Sequence, residues 1–174
     1  MKDRPRPGGA VIRAMVPGDY DRFIAGVDTW WGGRRVHDQL PRIFADHFCT
    51  TSFVAEDDDR LVAFLVGFMS PADPAVAYIH FVGVRPERRR AGLGRQLYER
   101  FFTLALEHGR TEVRCLTSPV NGSSIAYHRA LGFQVQPSAD LLEGVPVHLD
   151  HDGPGEHRVL FKRSIAQDPE TRVA

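Results

Sequence analysis

The sequence has no net charge, few cysteines and no long apolar run, and each absence argues against a class of protein. Its 22 basic and 22 acidic residues cancel, so no overall charge draws the chain to nucleic acid or to an anionic membrane. The two cysteines, Cys49 and Cys115, cannot make a disulfide framework and fit a reducing compartment. No run of about 18 apolar residues occurs, so the sequence predicts no membrane-spanning helix.

The ends of the chain differ in composition from its middle. Residues 1–9 are polar and contain prolines and glycines without the apolar centre of a secretory signal. We expect residues 1–9 and 166–174 to form flexible tails. Residues 10–165 are then predicted to form one domain, because the 43% hydrophobic content of this 174-residue chain can build a core. Together these features predict a soluble cytoplasmic protein.

Apolar periodicity predicts alternating strands and helices. Strands are predicted at Val11–Met15, Ser52–Glu56, Leu61–Ser70, Ala77–Val84, Glu112–Thr117, Phe133–Val135, Val145–Leu149 and Arg158–Arg163. Helices are predicted at Asp19–Val27, with Asp19 as the cap, at Val36–His47, with Pro41 in its first turns, and at Gly92–Glu107 and Ser123–Leu131. This order predicts an α/β fold with a mixed, mostly antiparallel sheet of about six or seven strands flanked by about four helices.

The most informative segment is Arg85–Leu97, which follows an apolar strand and opens a helix. Two glycines in it, Gly92 and Gly94, let the backbone approach a ligand closely. The first amides of a helix have no intrahelical partner, and the helix dipole is positive there. The segment therefore favours a pyrophosphate site, and a solvated arginine face is the alternative. A third glycine in the spacing of a dinucleotide fingerprint is missing, since position 97 is leucine.

This segment carries a family resemblance. The spacing Arg89-x-x-Gly92-x-Gly94 resembles the pyrophosphate-binding motif of the GNAT N-acetyltransferase superfamily. Further along, Asn121–Phe133 resembles the second conserved block of that superfamily, an Asn-initiated helix that ends in Leu-Gly-Phe beside the thiol end of CoA. The resemblance covers residues 11–163 in element order. It implies a GNAT-like fold and transfer of an acetyl group from acetyl-CoA to an amine.

The resemblance also implies which residues bind CoA. They lie on the strand before the glycine turn, around the turn and at the start of the second block: Val82, Val84, Arg89, Arg90, Gly92, Gly94, Arg95, Asn121 and Ser124. In the superfamily this strand splays from its neighbour, so the amide of Val82 would face the acyl carbonyl and Val84 would pair with the pantetheine arm. A fixed amide aimed at an oxyanion can be worth about 3 kcal/mol.

His80 is the predicted general base. A lysine-like amine costs roughly 4.6 kcal/mol to hold neutral at pH 7, more than the leaving thiol costs, so base catalysis matters more than acid catalysis. Strand alternation places His80 with Tyr78 and Val82. The run Tyr78–Val84 also resembles the strand of arylalkylamine N-acetyltransferases, where histidines remove the proton through water. A hydrogen-bonded core histidine is the alternative.

Two adjacent residues are candidates for the general acid. Most members of the resembled superfamily place a tyrosine four residues before the glycine of Leu-Gly-Phe, and this chain has His128 there and Tyr127 one residue earlier. The two side chains point about 100° apart on a helix. A histidine can donate a proton, so His128 is the predicted acid and Tyr127 the second candidate. In the alternative, neither residue is the general acid: Tyr127 packs inward and His128 only contacts CoA.

The loop with Trp30, Trp31 and Arg34 is the predicted acceptor site, since this segment borders the acceptor in the resembled superfamily. Two aromatic side chains suit an apolar or cationic acceptor, although they fit a core equally well. Arg34 could instead meet a carboxylate, so the charge of the acceptor stays open. A late loop rich in histidine and acidic residues, 148–157, lacks the spacing of a metal site, and no metal is predicted.

The sequence thus predicts an acetyltransferase that works by direct attack in a ternary complex. Its acceptor would be a small-molecule amine or a peptide amine, and a homodimer is possible because dimers are common in the resembled superfamily. A non-catalytic module that binds or senses acyl-CoA is the alternative, since the usual tyrosine is missing. A nucleic-acid binder using Arg85–Arg95 is disfavoured by the zero net charge and by the lack of aromatic residues among the arginines.

Overall fold

The computed structural model describes residues 9–166. These residues divide into two compact units. The first contains the residues up to Phe68 together with His80–Leu104, and the second contains Met69–Ile79 and the residues from Ala105 onward. The predicted tails fall almost entirely outside the described residues. The prediction of one domain over 10–165 stays a prediction.

Residues 9–166 form nine strands and four α-helices. The strands are β1 Val11–Ala14, β2 Phe53–Asp57, β3 Arg60–Met69, β4 Val76–Val84, β5 Glu112–Thr117, β6 Gln134–Val135, β7 Asp140–Leu142, β8 Val145–Val147 and β9 Val159–Ser164. The helices are α1 Asp19–Ile24, α2 Ile43–His47, α3 Leu93–Glu107 and α4 Gly122–Ala130.

Seven strands form one sheet in the order β1-β2-β3-β4-β5-β9-β6, and β7 and β8 form a separate hairpin. The pairs β1–β2, β2–β3, β5–β9 and β6–β9 are antiparallel, whereas β4 and β5 run parallel. This mixed, mostly antiparallel sheet with four helices confirms the predicted α/β class.

The first unit is built around aromatic side chains. Phe23 of α1 stacks on Phe64 of β3 with ring centroids 4.5 Å apart, and Trp30, only 1% exposed, packs against the same Phe64 at 5.6 Å. In α3, Leu93, Leu97 and Phe101 are buried along one stripe, as the helical spacing predicts.

The second unit is centred on β5 and β9. Their antiparallel register pairs Cys115 with Phe161, and both side chains are buried. Burial raises the pKa of the Cys115 thiol well above its ordinary value, so this cysteine stays a neutral core residue. Residues Ile125 and Leu131 of the α4 segment are buried in the same unit.

The predicted cap of the first helix is wrong. Gly18 occupies the N-cap position and no side chain caps it. Asp19 instead lies 1% exposed and accepts hydrogen bonds from Arg13 at 2.7 Å, the Val16 amide at 2.9 Å and Arg22 at 3.0 Å. Burial opposes ionisation of Asp19, but these bonds outweigh it and hold its pKa below the ordinary value.

The predicted long helix over Val36–His47 is also wrong. A short 3₁₀ turn covers His37–Gln39, and α2 starts only at Ile43. Proline disfavours the helical conformation of the residue before it, and Leu40, which precedes Pro41, has φ −124° and ψ 61°. The proline therefore separates two short helical pieces.

The hairpin β7–β8 adds a strand that the periodicity missed. Every residue of β7 is exposed, so no alternation of buried and exposed residues marks it. Among the described residues, no helix has the length and apolarity needed to cross a membrane.

Candidate functional site

The turn between β4 and α3 has the geometry of an anion-binding loop. A 3₁₀ turn covers Pro86–Arg88, and the chain then takes left-handed conformations at Arg90, φ 63°, and at Gly92, φ 81°. The carbonyl of Gly92 accepts the amide of Gln96 at 3.0 Å, which places Gly92 at the start of the 15-residue helix α3. Helix amides in this first turn have no intrahelical acceptor. Gly92 itself is exposed.

The arginines of this turn divide into anchored and exposed side chains. Arg85 donates to the Leu61 carbonyl at 2.7 Å and lies over the Trp30 ring at 4.8 Å. Arg88 forms an ion pair with Asp57. Arg85 therefore ties the turn to β3 and to Trp30, and Arg88 ties it to the end of β2.

The arginines assigned to CoA are more exposed. Arg89 donates to the main-chain carbonyls of Val84, at 3.1 Å, and of Trp30, so its guanidinium ties the turn to the tryptophan segment. Arg90 and Arg95 are both exposed, and Arg95 makes a 3.8 Å ion pair with Glu99 one turn along α3. An exposed pair of this kind is weak. Arg90 and Arg95 thus offer positive charge beside the helix start.

His80 occupies a defined position on β4. Its Nε2 lies 2.6 Å from the main-chain carbonyl of Gln39, and its ring stacks on Phe44 with centroids 4.1 Å apart and planes at 18°. A carbonyl oxygen only accepts hydrogen bonds, so Nε2 carries the proton and the neutral ring has its lone pair on Nδ1. This contact with Gln39 is the hydrogen-bonded alternative to a catalytic role.

Burial varies along β4 without strict alternation. Tyr78 and the run His80, Phe81 and Val82 are half-buried, whereas Ile79 and Gly83 are buried. Strand geometry places His80 on the same face as Tyr78 and Val82. Within the second unit, the parallel register of β4 with β5 comprises Val76–Tyr78 and Glu112–Arg114.

The two predicted acceptor tryptophans differ in burial. Trp30 lies in the core of the first unit, and its indole Nε1 is buried without a hydrogen-bond partner. Trp31 is half-buried and packs edge-on against Phe81 at 5.2 Å. Trp30 is therefore a core residue, and Trp31 provides the accessible aromatic surface of this segment. Arg34, which follows the left-handed Gly32 and Gly33, is exposed.

In the second unit, the structure brings together Asn121, Ser124 and His128. Asn121 caps α4, because its Oδ1 accepts the Ser124 amide at 3.2 Å and the Ser123 hydroxyl at 3.0 Å. Ser124 in turn accepts from the Nδ1 of His128, with its carbonyl at 2.8 Å. The second block is thus a capped helix with a histidine bonded into its first turns.

His128 faces the interior and Tyr127 faces outward. The His128 ring is 7% exposed and stacks on Phe161 at 4.8 Å, whereas Tyr127 is 40% exposed. Burial lowers the pKa of His128, and the hydrogen bond to Ser124 offsets this only in part. The inward-facing side chain is therefore that of His128, whereas the alternative without a catalytic role placed Tyr127 inside.

The late loop forms a turn. Asp150 accepts the Gly155 amide at 2.7 Å, and Arg158 pairs with Asp152 and with Glu156 at 2.7 Å each. Across residues 9–166, no group of three histidine, cysteine, aspartate or glutamate side chains is placed to hold a metal ion.

The sequence did not predict the roles of three residues that surround His80 and β4. Gln39 and Phe44 hold His80, and Gly83 permits close packing, because a Cβ there would lie 2.5 Å from Phe64 Cε1 and 2.8 Å from Trp31 Cη2. The glycine in an apolar strand was the available signal for Gly83. Local sequence held no signal for Gln39, since its role depends on a contact with a residue 41 positions away.

Comparison with known proteins gives the same assignment as the motifs. Residues 22–133 match the family model described as the acetyltransferase (GNAT) family. The L-2,4-diaminobutyric acid acetyltransferase of Nocardia farcinica is 34% identical over 84 residues, which are 48% of this chain and 44% of that relative. The matching region thus spans less than half the length of that relative.

Solved structures share the fold. A GNAT-family structure from Desulfovibrio desulfuricans has a TM-score of 0.75 at 17% identity, covering 91% of this chain and 100% of that one. The diaminobutyrate acetyltransferase of Paenibacillus lautus, solved with L-2,4-diaminobutyric acid and coenzyme A, has a TM-score of 0.65 at 19% identity, covering 92% and 98%. Because the family model matches more than half of the sequence, this chain belongs to the acetyltransferase (GNAT) family.

Proposed function

We propose that this chain is an acyl-CoA-dependent N-acetyltransferase that moves the acetyl group of acetyl-CoA to a primary amine. The observation that carries the proposal is the turn at Gly92. Its left-handed backbone, φ 81°, has Gln96 Nε2 at 3.7 Å as the nearest atom to an added Cβ, so a ligand can approach the main chain closely. Exposed Arg90 and Arg95 supply positive charge next to the helix start.

This arrangement fits a pyrophosphate. The amides at the start of α3 would donate to phosphate oxygens, and the guanidinium groups of Arg90 and Arg95 would pair with their charge. Val82 and Val84 would offer main-chain groups of β4 to the pantetheine arm, and Asn121 and Ser124 would contact CoA near its thiol end. Gly94 and Arg89 would support the turn itself.

The reaction is the attack of a neutral amine on the thioester carbonyl. The nitrogen bonds to the acyl carbon and loses one proton, the C–S bond breaks, and CoA leaves as a thiol. His80 is our candidate for the base that accepts the amine proton, directly or through water, at the Nδ1 that holds the lone pair. A fixed main-chain amide, assigned to Val82, would stabilise the oxyanion.

We assign protonation of the leaving thiolate to Tyr127 rather than to His128. Two observations support this choice: the Tyr127 side chain is 40% exposed, and burial lowers the pKa of His128. A neutral, buried imidazole whose proton is engaged at Ser124 is a poor acid. The hydroxyl of Tyr127 carries a proton that it can donate to the leaving thiolate.

The acceptor we propose is a small amine that also carries a carboxylate, of the kind named for the relative from Nocardia farcinica. Arg34 would meet the carboxylate, because it is exposed at the end of the tryptophan segment, whereas Arg35 already pairs with Asp38 at 3.0 Å. Trp31 would line the same region. A peptide acceptor, a homodimer and a cytoplasmic location stay predictions, and nothing found favours the non-catalytic alternative.

Ligand-dependent melting tests the donor. Acetyl-CoA, CoA, NAD and ATP are each added at about 1 mM, and a ligand present at about 100 times its Kd adds roughly 2.7 kcal/mol of stability. We expect both CoA species to raise the melting temperature by a few degrees and NAD and ATP to leave it unchanged. No shift with either CoA species would refute the donor assignment.

Thiol release tests the acceptor. The matched set is L-2,4-diaminobutyric acid, which has two amines and a carboxylate, with 2-aminobutyrate, 4-aminobutyrate and 1,3-diaminopropane, each of which lacks one of these groups. We expect the diamino acid to give the largest kcat/KM and Arg34→Ala to reduce its advantage over 1,3-diaminopropane. Equal rates for the two compounds would refute the carboxylate contact.

A further inference from the structure

His80 is held by a short segment that has no part in the reaction itself. One face of its ring stacks on Phe44 at 4.1 Å, and its Nε2 donates to the Gln39 carbonyl at 2.6 Å. Both contacts come from the stretch that runs from the 3₁₀ turn His37–Gln39 into the first turn of α2. The orientation of the candidate base therefore depends on how firmly this stretch is fixed.

The carboxylate of Asp28 fixes it. Oδ1 of Asp28 accepts the amides of Val36 at 2.8 Å and of His37 at 2.9 Å, and Oδ2 lies 2.6 Å from His37 Nδ1. One side chain thus holds two successive main-chain amides and a ring. These amides are where the 3₁₀ turn His37–Gln39 begins.

The turn carries this restraint to His80. The Gln39 amide donates to the Val36 carbonyl at 3.0 Å, and the Leu40 amide donates to the His37 carbonyl at 3.0 Å. With the first residues of the turn held by Asp28 and its end followed by Pro41, the Gln39 carbonyl has a set direction. That carbonyl is the acceptor for Nε2.

We propose that Asp28 is a positioning residue, which fixes the tautomer and the orientation of His80 through the turn His37–Gln39. A carbonyl acceptor on Nε2 keeps the lone pair of the neutral ring on Nδ1, and a fixed acceptor also fixes the direction in which Nδ1 points. A misplaced base lowers the rate, because a displacement of about 1 Å can cost about 100-fold. The catalytic consequence rests on the proposed function, whereas the structural relation between Asp28 and His80 does not.

A double-mutant cycle tests the catalytic consequence. Asp28→Ala removes the acceptor for both amides and is expected to lower kcat about tenfold or more, with little change in the Kd for CoA. Asp28→Asn keeps an oxygen acceptor and is expected to lie between wild type and Asp28→Ala. Because Asp28 acts through His80, Asp28→Ala should cost almost nothing further in a His80→Ala background.

The matched control is Asp38→Asn. Asp38 contacts the same histidine, with Oδ1 at 3.1 Å from His37 Nε2, but its side chain is 58% exposed and its Oδ2 pairs with Arg35. We expect this variant to keep the wild-type kcat. An equal loss in Asp38→Asn and Asp28→Ala, or an equal cost of Asp28→Ala with and without His80, would overturn the proposal.

A spectroscopic measurement on the free protein decides the structural relation without any substrate. In a ¹⁵N-labelled histidine spectrum, with the signal assigned by its loss in His80→Asn, wild type is expected to show His80 protonated at Nε2. In Asp28→Ala this signal should shift toward averaging between the two tautomers, and in Asp38→Asn it should not move. An unchanged His80 signal in Asp28→Ala overturns the proposal even if the protein is active. If wild type transfers no acetyl group, the proposed function fails and this spectrum alone decides the role of Asp28.

Discussion

The Nε2 of His80 lies 2.6 Å from the main-chain carbonyl of Gln39, and this contact decides which nitrogen of His80 can act as a base. The carbonyl accepts a hydrogen bond from Nε2–H, so in the neutral ring the lone pair is on Nδ1. His80 is therefore a hydrogen-bonded histidine, as in the structural alternative, and it is still the candidate for the general base. The ring of His128, in contrast, is buried, and burial lowers its pKa.

The first prediction concerns His80 as the base. His80→Ala should lower kcat/KM by about 10²-fold or more, since a general base contributes about that much, and should leave CoA affinity nearly unchanged. Steady-state thiol release and calorimetric CoA titration measure the two effects. The control is His47→Ala, an exposed histidine at the end of α2, which should keep the wild-type rate. A His80→Ala enzyme that keeps the wild-type rate from pH 6 to 9 would rule out the assignment.

The second prediction concerns the glycine turn. Gly92→Ala and Gly109→Ala both place a side chain at positive φ, 81° and 71°, so each should lose about 1–2 kcal/mol of stability through backbone strain. Only Gly92→Ala should weaken CoA binding, because Gly109 lies at the far end of α3. Titration calorimetry on both variants measures this difference. Equal CoA affinities in the two variants would remove the pyrophosphate site from this turn.

The third prediction concerns the pH dependence of stability. The pKa of His128 in the folded protein is lowered below the unfolded value of about 6.5. Between these two values the unfolded chain binds more protons, so the free energy of unfolding falls as the pH falls below about 6.5. Urea unfolding at several pH values should show this slope, and His128→Phe should flatten it. His47→Phe serves as the control, and a slope that survives in His128→Phe would contradict the buried neutral histidine.

The fourth prediction concerns packing behind β4. Gly83→Ala should destabilise the protein by about 1–3 kcal/mol, because overpacking forces neighbouring side chains to move, and the added Cβ would meet Phe64 and Trp31 below 3 Å. Gly26→Ala is the matched control, since nothing lies within 4 Å of its added Cβ. Chemical denaturation measures both. Equal stability of the two variants would show that Phe64 and Trp31 yield without cost.

The elements predicted well were those whose signals are local in the sequence. Helix α3 begins after Gly92 and ends before Gly109, which has φ 71°, because glycine marks both positions by its own conformational freedom. The strands predicted at Ser52–Glu56 and Leu61–Ser70 likewise correspond closely to β2 and β3, Phe53–Asp57 and Arg60–Met69. The prediction of one helix over Val36–His47 is wrong because Pro41 interrupts the segment, although the apolar spacing continues across it.

The site was harder to predict where it depends on distant residues. His128 is buried against Phe161, a contact that no helical spacing around residue 128 contains, so its burial and lowered pKa were not visible in the sequence. Trp30 and Trp31 are adjacent and chemically alike, yet only Trp30 enters the core. The positions of Gln39 and Asp28 relative to His80 depend on the path of an irregular segment, which periodicity does not describe.

The proposed roles of His80, Asp28 and the glycine turn all depend on the transfer of an acetyl group from acetyl-CoA to an amine. Mass spectrometry of a reaction with acetyl-CoA and L-2,4-diaminobutyric acid, with the other amines in parallel, tests it most directly. We expect an acetylated amine and one CoA thiol for each acetyl group transferred, with both greatly reduced in His80→Ala. Protein that binds acetyl-CoA and forms no acetylated product with any amine of the set would contradict it.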